Sequence, residues 1–272
     1  MERRTMQEIT SYIKNLESLV IGYSGGVDST LLMDMATEIL GKERVLGVTM
    51  DIGFQTREEV NRAKSLAQER GWSMKVVENP LENLDEEILK NPVNRCYTCK
   101  KTIFGFLKDV AEKEGYKKVC DGANIDDLGD IRPGMEATKE LGIASPFLAC
   151  GWGKEDIRQE AKKRGLANWD LASSACLASR VAYGQKLNRD LLGKIEEGEK
   201  WLKSLGFDQV RVRVHGKNAR IELGKEDLER GLEIEEKLRK GLESLGFNQV
   251  EVDPKGYRQG SLNEEVSHGI NT

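Results

Sequence analysis

Residues 24–29 read SGGVDS and follow an apolar run, SLVIGY. Gly25 and Gly26 let the backbone turn tightly, so that successive N–H groups face one concavity. Ser24 and Ser29 add hydroxyls, Asp28 adds a carboxylate, and a helix opening here presents its positive end. A pyrophosphate suits such a cradle. The stretch lacks both the lysine of the GK[ST] loop and the G-x-G-x-x-G spacing of dinucleotide sites. Further along, CYTC at 96–99 offers two thiols. Their spacing fits half a zinc site, a redox dithiol, an iron–sulfur ligand pair or no role at all. Cys176, in ACLASR, has Arg180 four residues on, placed to activate the thiol or to grip a phosphate.

The cations fall into two groups. Lys100 and Lys101 sit beside CYTC, while Arg211 and Arg213 alternate with Val210, Val212 and Val214, and Arg258 lies in GYRQG. Arginine forks suit carboxylates and phosphates, although alternating arginines also make an ordinary solvated strand face. Tyr97, inside CYTC, can stack on a ring. Asp126, Asp127 and Asp130 in NIDDLGD hold magnesium, order a rim or simply make turns. Glu222 and Asp227 are weaker acidic candidates. Zinc at CYTC lacks partners: the two histidines, His215 and His268, are unpaired in sequence, and Cys120 and Cys150 read as half-buried strand ends.

These residues need elements to place them. An amphipathic helix is expected over 1–16, with Ile9, Tyr12, Ile13 and Leu16 on one face. SLVIGYSGG then reads as a buried strand entering the glycine turn, and VDSTLLMDMATEIL as a helix. ERVLGVTMD, SMKVVEN and KKVCDGAN read as further strands, GIASPFLACGW as a short fifth. Helices are expected at TREEVNRAKSLAQERG, LDEEILKNP, KKTIFGFLKDVAEKEG and KEDIRQEAKKRG, with CYTC in the segment leading into the third of these. Strands alternating with helices predict an α/β fold with a doubly wound, mostly parallel sheet, whose ligands bind beyond the carboxyl ends of the strands. SGGVDS, the MD of Met50 and the DGANIDD stretch holding Gly122 and Asn124 all converge on that rim. From about residue 187 the chain echoes itself: KWLKSLGFDQVRVRVHGKNARIEL is followed by KLRKGLESLGFNQVEVDPKGYRQGSL. Two helix–strand–strand copies predict a smaller, ferredoxin-like α+β domain. The expected division is therefore 1–186 and 187–272.

Composition sets the outer bounds. The chain has 272 residues, 38% hydrophobic and 32% charged, with a formal net charge of −4. That balance supplies no global basic field for nucleic acid, and no apolar run approaches the ~18–20 residues of a membrane span. The N-terminus has no apolar signal region, and five cysteines in a chain of this size favour thiols or metal ligands over disulfides. A cytoplasmic setting is expected.

SGGVDS resembles the PP-loop of the N-type ATP pyrophosphatases, in which the loop binds the pyrophosphate of ATP. Taken together, SGGVDSTLL, DGANIDDLGDIRPG, ACLASRVAYG and PKGYRQGSLNE are similar to the LarE family of sulfur insertases. The resemblance covers both expected domains. It implies adenylation of a carboxylate of a pyridinium-3,5-biscarboxylic acid mononucleotide, loss of pyrophosphate with magnesium, and replacement of an oxygen by sulfur during synthesis of the nickel-pincer cofactor of lactate racemase. By the same resemblance Ser24, Gly25, Gly26, Asp28, Ser29, Met50, Gly122 and Asn124 serve the nucleotide, and Asp28 places magnesium or the loop. Tyr97, Lys101, Arg180, Arg211, Arg213 and Arg258 serve the substrate, and the protein is a homo-oligomer.

In one form of the family the cysteine corresponding to Cys176 is itself the sulfur donor. Here Cys96 and Cys99 are added. Three thiolates can hold a [4Fe–4S] cluster with one iron left open for a sulfide. Cys96, Cys99 and Cys176 are therefore the expected ligands, with sulfide or another sulfur donor as partner. The competing classes are a cluster-dependent tRNA thiolase, which needs a long basic surface, an amide-forming synthetase, which leaves CYTC and CLASR unexplained, and a non-enzymatic ATP- or cluster-binding sensor.

Overall fold

The computed structural model describes residues 6–129, 133–172 and 174–258. Asp130 and most of RQGSLNE lie outside them. In chain order the elements are α1 (Met6–Lys14), β1 (Leu19–Gly22), α2 (Val27–Leu40), β2 (Val45–Asp51), α3 (Arg57–Arg70), β3 (Met74–Glu78), α4 (Glu86–Leu89), α5 (Arg95–Glu114), β4 (Lys118–Cys120), α6 (Pro133–Glu140), α7 (Pro146–Ala149), α8 (Lys154–Lys163), α9 (Arg189–Ser204), β5 (Val210–His215), β6 (Asn218–Leu223), α10 (Leu228–Glu233), α11 (Glu235–Ser244) and β7 (Val250–Val252). They form two compact units. One takes the chain up to Pro80 with Asn94–Ser174; the other takes Leu81–Val93 with the chain from Ala175 onward.

The first unit is built on an all-parallel sheet in the order β3-β2-β1-β4. The short β1 is apolar on both faces because both are covered. Leu19 and Ile21 join one core with Leu31, Leu32, Phe147 and Ile157, and Val20 joins the other with Phe104, Leu107 and Val119. Burying each such side chain stabilises by about 1.5–3 kcal/mol. Helix α3 begins on a reciprocal cap between Thr56 and Glu59 and ends on Gly71 at φ 65°. From β1 the chain steps one way to β2 and β3, then returns to add β4 on the other side. The switch point, where such sheets open a crevice, thus lies between the carboxyl ends of β1 and β4.

Two expectations fail here. GIASPFLACGW is not a fifth strand. Only Ala144 bridges to Cys120, and Pro146 then opens the short helix α7, burying Phe147. Proline at the first helical position has its φ preset and needs no N–H partner, so the run leaves the sheet at once. CYTC does not precede its helix either. It occupies the first turns of α5, which starts at Arg95 and runs through Glu114.

The second unit holds a three-stranded sheet, β5-β6-β7, with β5–β6 antiparallel and β6–β7 parallel. The internal echo is structural. Leu202, Phe207 and Val210 are buried, and so are their counterparts forty residues on, Leu242, Phe247 and Val250. A fourth strand equivalent to β6 would fall almost wholly outside the described residues. The β5–β6 hairpin closes through Gly216 at φ 62°, a conformation glycine adopts without strain.

Candidate functional site

In the first unit SGGVDS bridges β1 and α2 at the switch point. Gly25 sits at φ 73°, and a Cβ there would lie 2.9 Å from the Ala63 Cβ and 3.0 Å from its Cα. The loop is held by its own serines: Ser29 Oγ accepts the Ser24 N–H at 3.2 Å and donates to the Gly26 carbonyl at 3.1 Å, and the two hydroxyls lie 3.1 Å apart. Buried Asn168 donates from its Nδ2 to the Gly25 carbonyl and to Thr30 Oγ1, at 2.9 and 3.0 Å. Across the crevice Gly122, just past β4, comes so close that an added Cβ would stand 3.0 Å from the Asp28 Cβ and 3.1 Å from the Ser29 nitrogen. The turn is thus a preset cradle at the positive end of a 14-residue helix.

Asp28 is the acid of this cradle. Its Oδ2 pairs with Lys154 Nζ at 2.6 Å, while its Oδ1 is buried with no hydrogen-bond partner. A buried carboxylate oxygen in that condition fits a divalent cation, since burial without a partner is costly. The acidic loop after β4 behaves differently. Asp126 Oδ2 accepts the Lys154 N–H at 2.5 Å, Asp127 Oδ2 accepts the Asn124 N–H at 3.0 Å, and Asn124 Oδ1 accepts the Asp126 N–H at 3.1 Å. The last two are turn-making bonds, while the first ties the loop to the start of α8, and Asn124 itself is buried. Met50 is buried in β2 and its carbonyl accepts from Gln55 Nε2 at 3.1 Å. Next to it, the Arg57 fork on Asp51, at 2.6 and 2.7 Å, holds that carboxyl below the usual range.

On α5, Cys96 is exposed and Cys99 half-buried, three residues apart and therefore on one face of the helix. Arg95, buried, places Nη2 3.6 Å from the Cys96 sulfur. Tyr97 and Lys101 gather on Glu140: the phenol donates to Oε2 at 2.6 Å, and Lys101 Nζ lies 3.0 Å from the phenol oxygen and 3.2 Å from Oε2. Lys101 and Glu140 are solvent-exposed and Tyr97 is half-buried. Lys100 lies over the Phe104 ring. Cys120 and Cys150 are buried in the core, and burial pushes the Cys120 thiol up. No disulfide links any of the five cysteines.

In the second unit Cys176 precedes the short turn Leu177–Arg180 and is half-buried. Arg180 is 2% exposed. Its Nε and Nη2 fork onto Glu199 of α9 at 2.9 and 3.1 Å, and Nη1 donates to the carbonyls of Ala175 and, at 3.0 Å, Cys176. Arg213 donates from Nε to buried Glu222 at 2.9 Å and from Nη1 to the Ser179 carbonyl at 2.8 Å. Arg211 lies over the Tyr257 ring, 5.4 Å from its centre, and burial lowers its pKa, with the charges of Arg180 and Arg213 adding to the effect. Arg258 is held 3.4 Å from Asp253. Arg180 and Arg213 therefore hold the turn that follows Cys176, and Arg211 lies close enough to both for their charges to act on it. Among the described residues no three His, Cys, Asp or Glu side chains stand together as a metal site, and no helix is long and apolar enough to cross a membrane.

A family model for NAD synthase matches residues 2–98. The pyridinium-3,5-bisthiocarboxylic acid mononucleotide synthase of Lactiplantibacillus plantarum is 36% identical over 95% of this chain and 94% of its own length. The chain belongs to that synthase family. It is an enzyme. An uncharacterised protein of a Synechocystis species is 35% identical over 96% of the chain and 98% of its own length. An NH3-dependent NAD+ synthetase of Pyrococcus horikoshii is more distant, 25% identical over 89% of the chain and 88% of its own length.

Within this synthase-family chain three site residues escaped sequence reasoning. Lys154 and Asn168 meet the loop from 126 and 143 residues away, which no local pattern signals. Glu199 did leave a trace. It interrupts the apolar stripe Leu192, Ile195, Leu202 of α9, and a carboxylate at a core-facing position demands a buried partner.

Proposed function

We propose that the protein is an ATP-dependent sulfur insertase. It adenylates a carboxylate of pyridinium-3,5-biscarboxylic acid mononucleotide, releases pyrophosphate and exchanges the activated oxygen for sulfur, giving the thiocarboxylate needed for a nickel-pincer cofactor. The observation that carries this reading is the 36% identity to the synthase over 95% of the chain, spanning both units. The Ser24–Ser29 cradle supports it as the seat of the ATP phosphates, with Asp28 as the residue to hold magnesium. Adenylation replaces a poor leaving group with AMP. The sulfur nucleophile then adds to the acyl carbon, and the oxyanion that forms calls for cationic or N–H donors. Arg211, Arg213 and Arg258 are the proposed grips for the substrate's phosphate and carboxylates.

For the sulfur carrier we propose a [4Fe–4S] cluster on Cys96, Cys99 and Cys176. The donor set fits: three thiols outside any disulfide, two of them one turn apart on α5. When bound, the cluster supplies an open iron able to carry a sulfide. Without it, Cys176 gives up its own sulfur and ends as dehydroalanine.

The test is a mass and pyrophosphate balance. ATP, magnesium, sulfide and the mononucleotide should give pyrophosphate and a product heavier by one sulfur-for-oxygen exchange. Pyrophosphate release with ammonia and a nicotinate dinucleotide, and none with the mononucleotide, would move the chain to the amide-forming synthetases.

A further inference from the structure

The Cys176 loop is held from both ends by arginine–glutamate pairs. At its start, Arg180 Nη1 takes the Ala175 and Cys176 carbonyls and lies 3.3 Å from Ser179 Oγ, while the rest of the guanidinium forks onto Glu199. At its end, Arg213 takes the Ser179 carbonyl and pairs with Glu222. Glu199 Oε1 also accepts the Val212 N–H at 3.1 Å, tying α9 to the strand that carries Arg211 and Arg213. We infer that Arg180 is a positioning residue: with Glu199 it fixes the backbone of Cys176, so that the sulfur is presented at a set distance from the substrate cations of β5. This inference rests on the sulfur-insertase reading.

Three features favour positioning over the alternatives. Arg180 is 2% exposed and all three of its side-chain nitrogens have partners within the protein, so it does not reach substrate. A buried ion pair is a poor source of stability, because removing both charges from water is costly; packed apolar side chains would hold α9 at least as well. What the pair adds is direction. A planar fork binds a carboxylate along one edge and two carbonyls along another, which a lysine ammonium cannot do.

The test compares wild type with Arg180→Lys and the double variant Arg180→Met, Glu199→Gln. The double variant removes the buried charges and keeps an amide oxygen for Val212, so it folds where a single deletion leaves a charge stranded. Melting temperature, mononucleotide-dependent pyrophosphate release and thiocarboxylate yield are measured on anaerobically reconstituted protein. Iodoacetamide labelling of Cys176 relative to Cys96, resolved by peptide mass, is measured on chelator-treated protein. In both variants KM for pyrophosphate release should stay within about twofold of wild type. Thiocarboxylate per pyrophosphate should fall about 100-fold, the scale of a reacting group displaced by an ångström. Adenylate left waiting is then hydrolysed by water to the carboxylate and AMP. The labelling ratio should shift by about fivefold or more, since the sulfur's surroundings have changed. A raised KM with unchanged yield per pyrophosphate would make Arg180 a substrate ligand. Parallel loss of both steps, tracking the melting temperature, would make its role purely structural. Wild type inert toward the mononucleotide would sink the functional reading instead. The labelling ratio would then decide alone, an unchanged ratio overturning the positioning role.

Discussion

Asp28 Oδ1, buried without a hydrogen-bond partner, and Gly122, pressed against the Asp28 backbone, set the sharpest expectations at the scale of single residues. Asp28→Asn removes the charge proposed to hold magnesium. Pyrophosphate release should fall about 100- to 1,000-fold, with ATP affinity much less affected, as stopped-flow release and calorimetry would register. Gly122→Ala puts a methyl 3.0 Å from the Asp28 Cβ and 3.1 Å from the Ser29 nitrogen. Backbone cannot yield there as a side-chain tip would, so the loop must shift. We expect a loss of about 1–3 kcal/mol in stability by denaturant titration, and weaker ATP binding with it. The glycines of the loop itself were legible because a tight strand-to-helix turn needs positive φ and close backbone approach, as Gly25 shows against Ala63. Gly122 was legible only as part of a motif, since its reason is a contact 94 residues away in sequence with Asp28.

At the scale of elements, the placing of CYTC matters most. In a loop, the two thiols could adopt any separation. In the first turns of α5, Cys96 and Cys99 are fixed on one helical face, with Cys96 exposed. If the cluster proposal is right, anaerobic reconstitution should load about four irons and four sulfides per chain. Each of Cys96→Ala, Cys99→Ala and Cys176→Ala should abolish this, while Cys120→Ala should leave it intact. Iron retained in the Cys176 variant would remove that residue from the ligand set. The alternation of VRVRV was readable from its period of two, and the arginines do face away from Val210, Val212 and Val214. That Arg213 would meet a carboxylate and Arg211 a ring was not readable, because those partners come from β6 and from residue 257.

Across the whole molecule, acid stability should reveal one designed pair. Asp51 is held below the ordinary carboxylate range chiefly by Arg57, so its folded pKa lies under its unfolded one. Its contribution is present above the unfolded pKa of about 3.9 and is lost as pH falls through the folded value. Arg57 is half-exposed, so screening limits the size. Arg57→Ala should cost about 1 kcal/mol near neutral pH. The difference from wild type should vanish on acidification below about pH 4, followed by urea unfolding at several pH values. A difference that persists in acid would mean that Arg57 acts by packing instead.

By itself the sequence determined the alternation of strands and helices, the glycine turn between the first strand and the helix after it, and the repeated LGF-x-QV core of the second unit. All of these are local: they follow from hydrophobic period, from turn residues and from spacing along the chain. Tertiary structure decided the rest. It ended a fifth strand at Ala144, where burying Phe147 in a helix competes with sheet pairing, and it grouped Leu81–Val93 with the chain beyond Ala175. It also gave Arg180 to Glu199 and the Cys176 carbonyl, where the sequence suggested a phosphate. A buried guanidinium must satisfy its donors from whatever the fold brings near, and those neighbours are set by packing, which spacing along the chain does not encode.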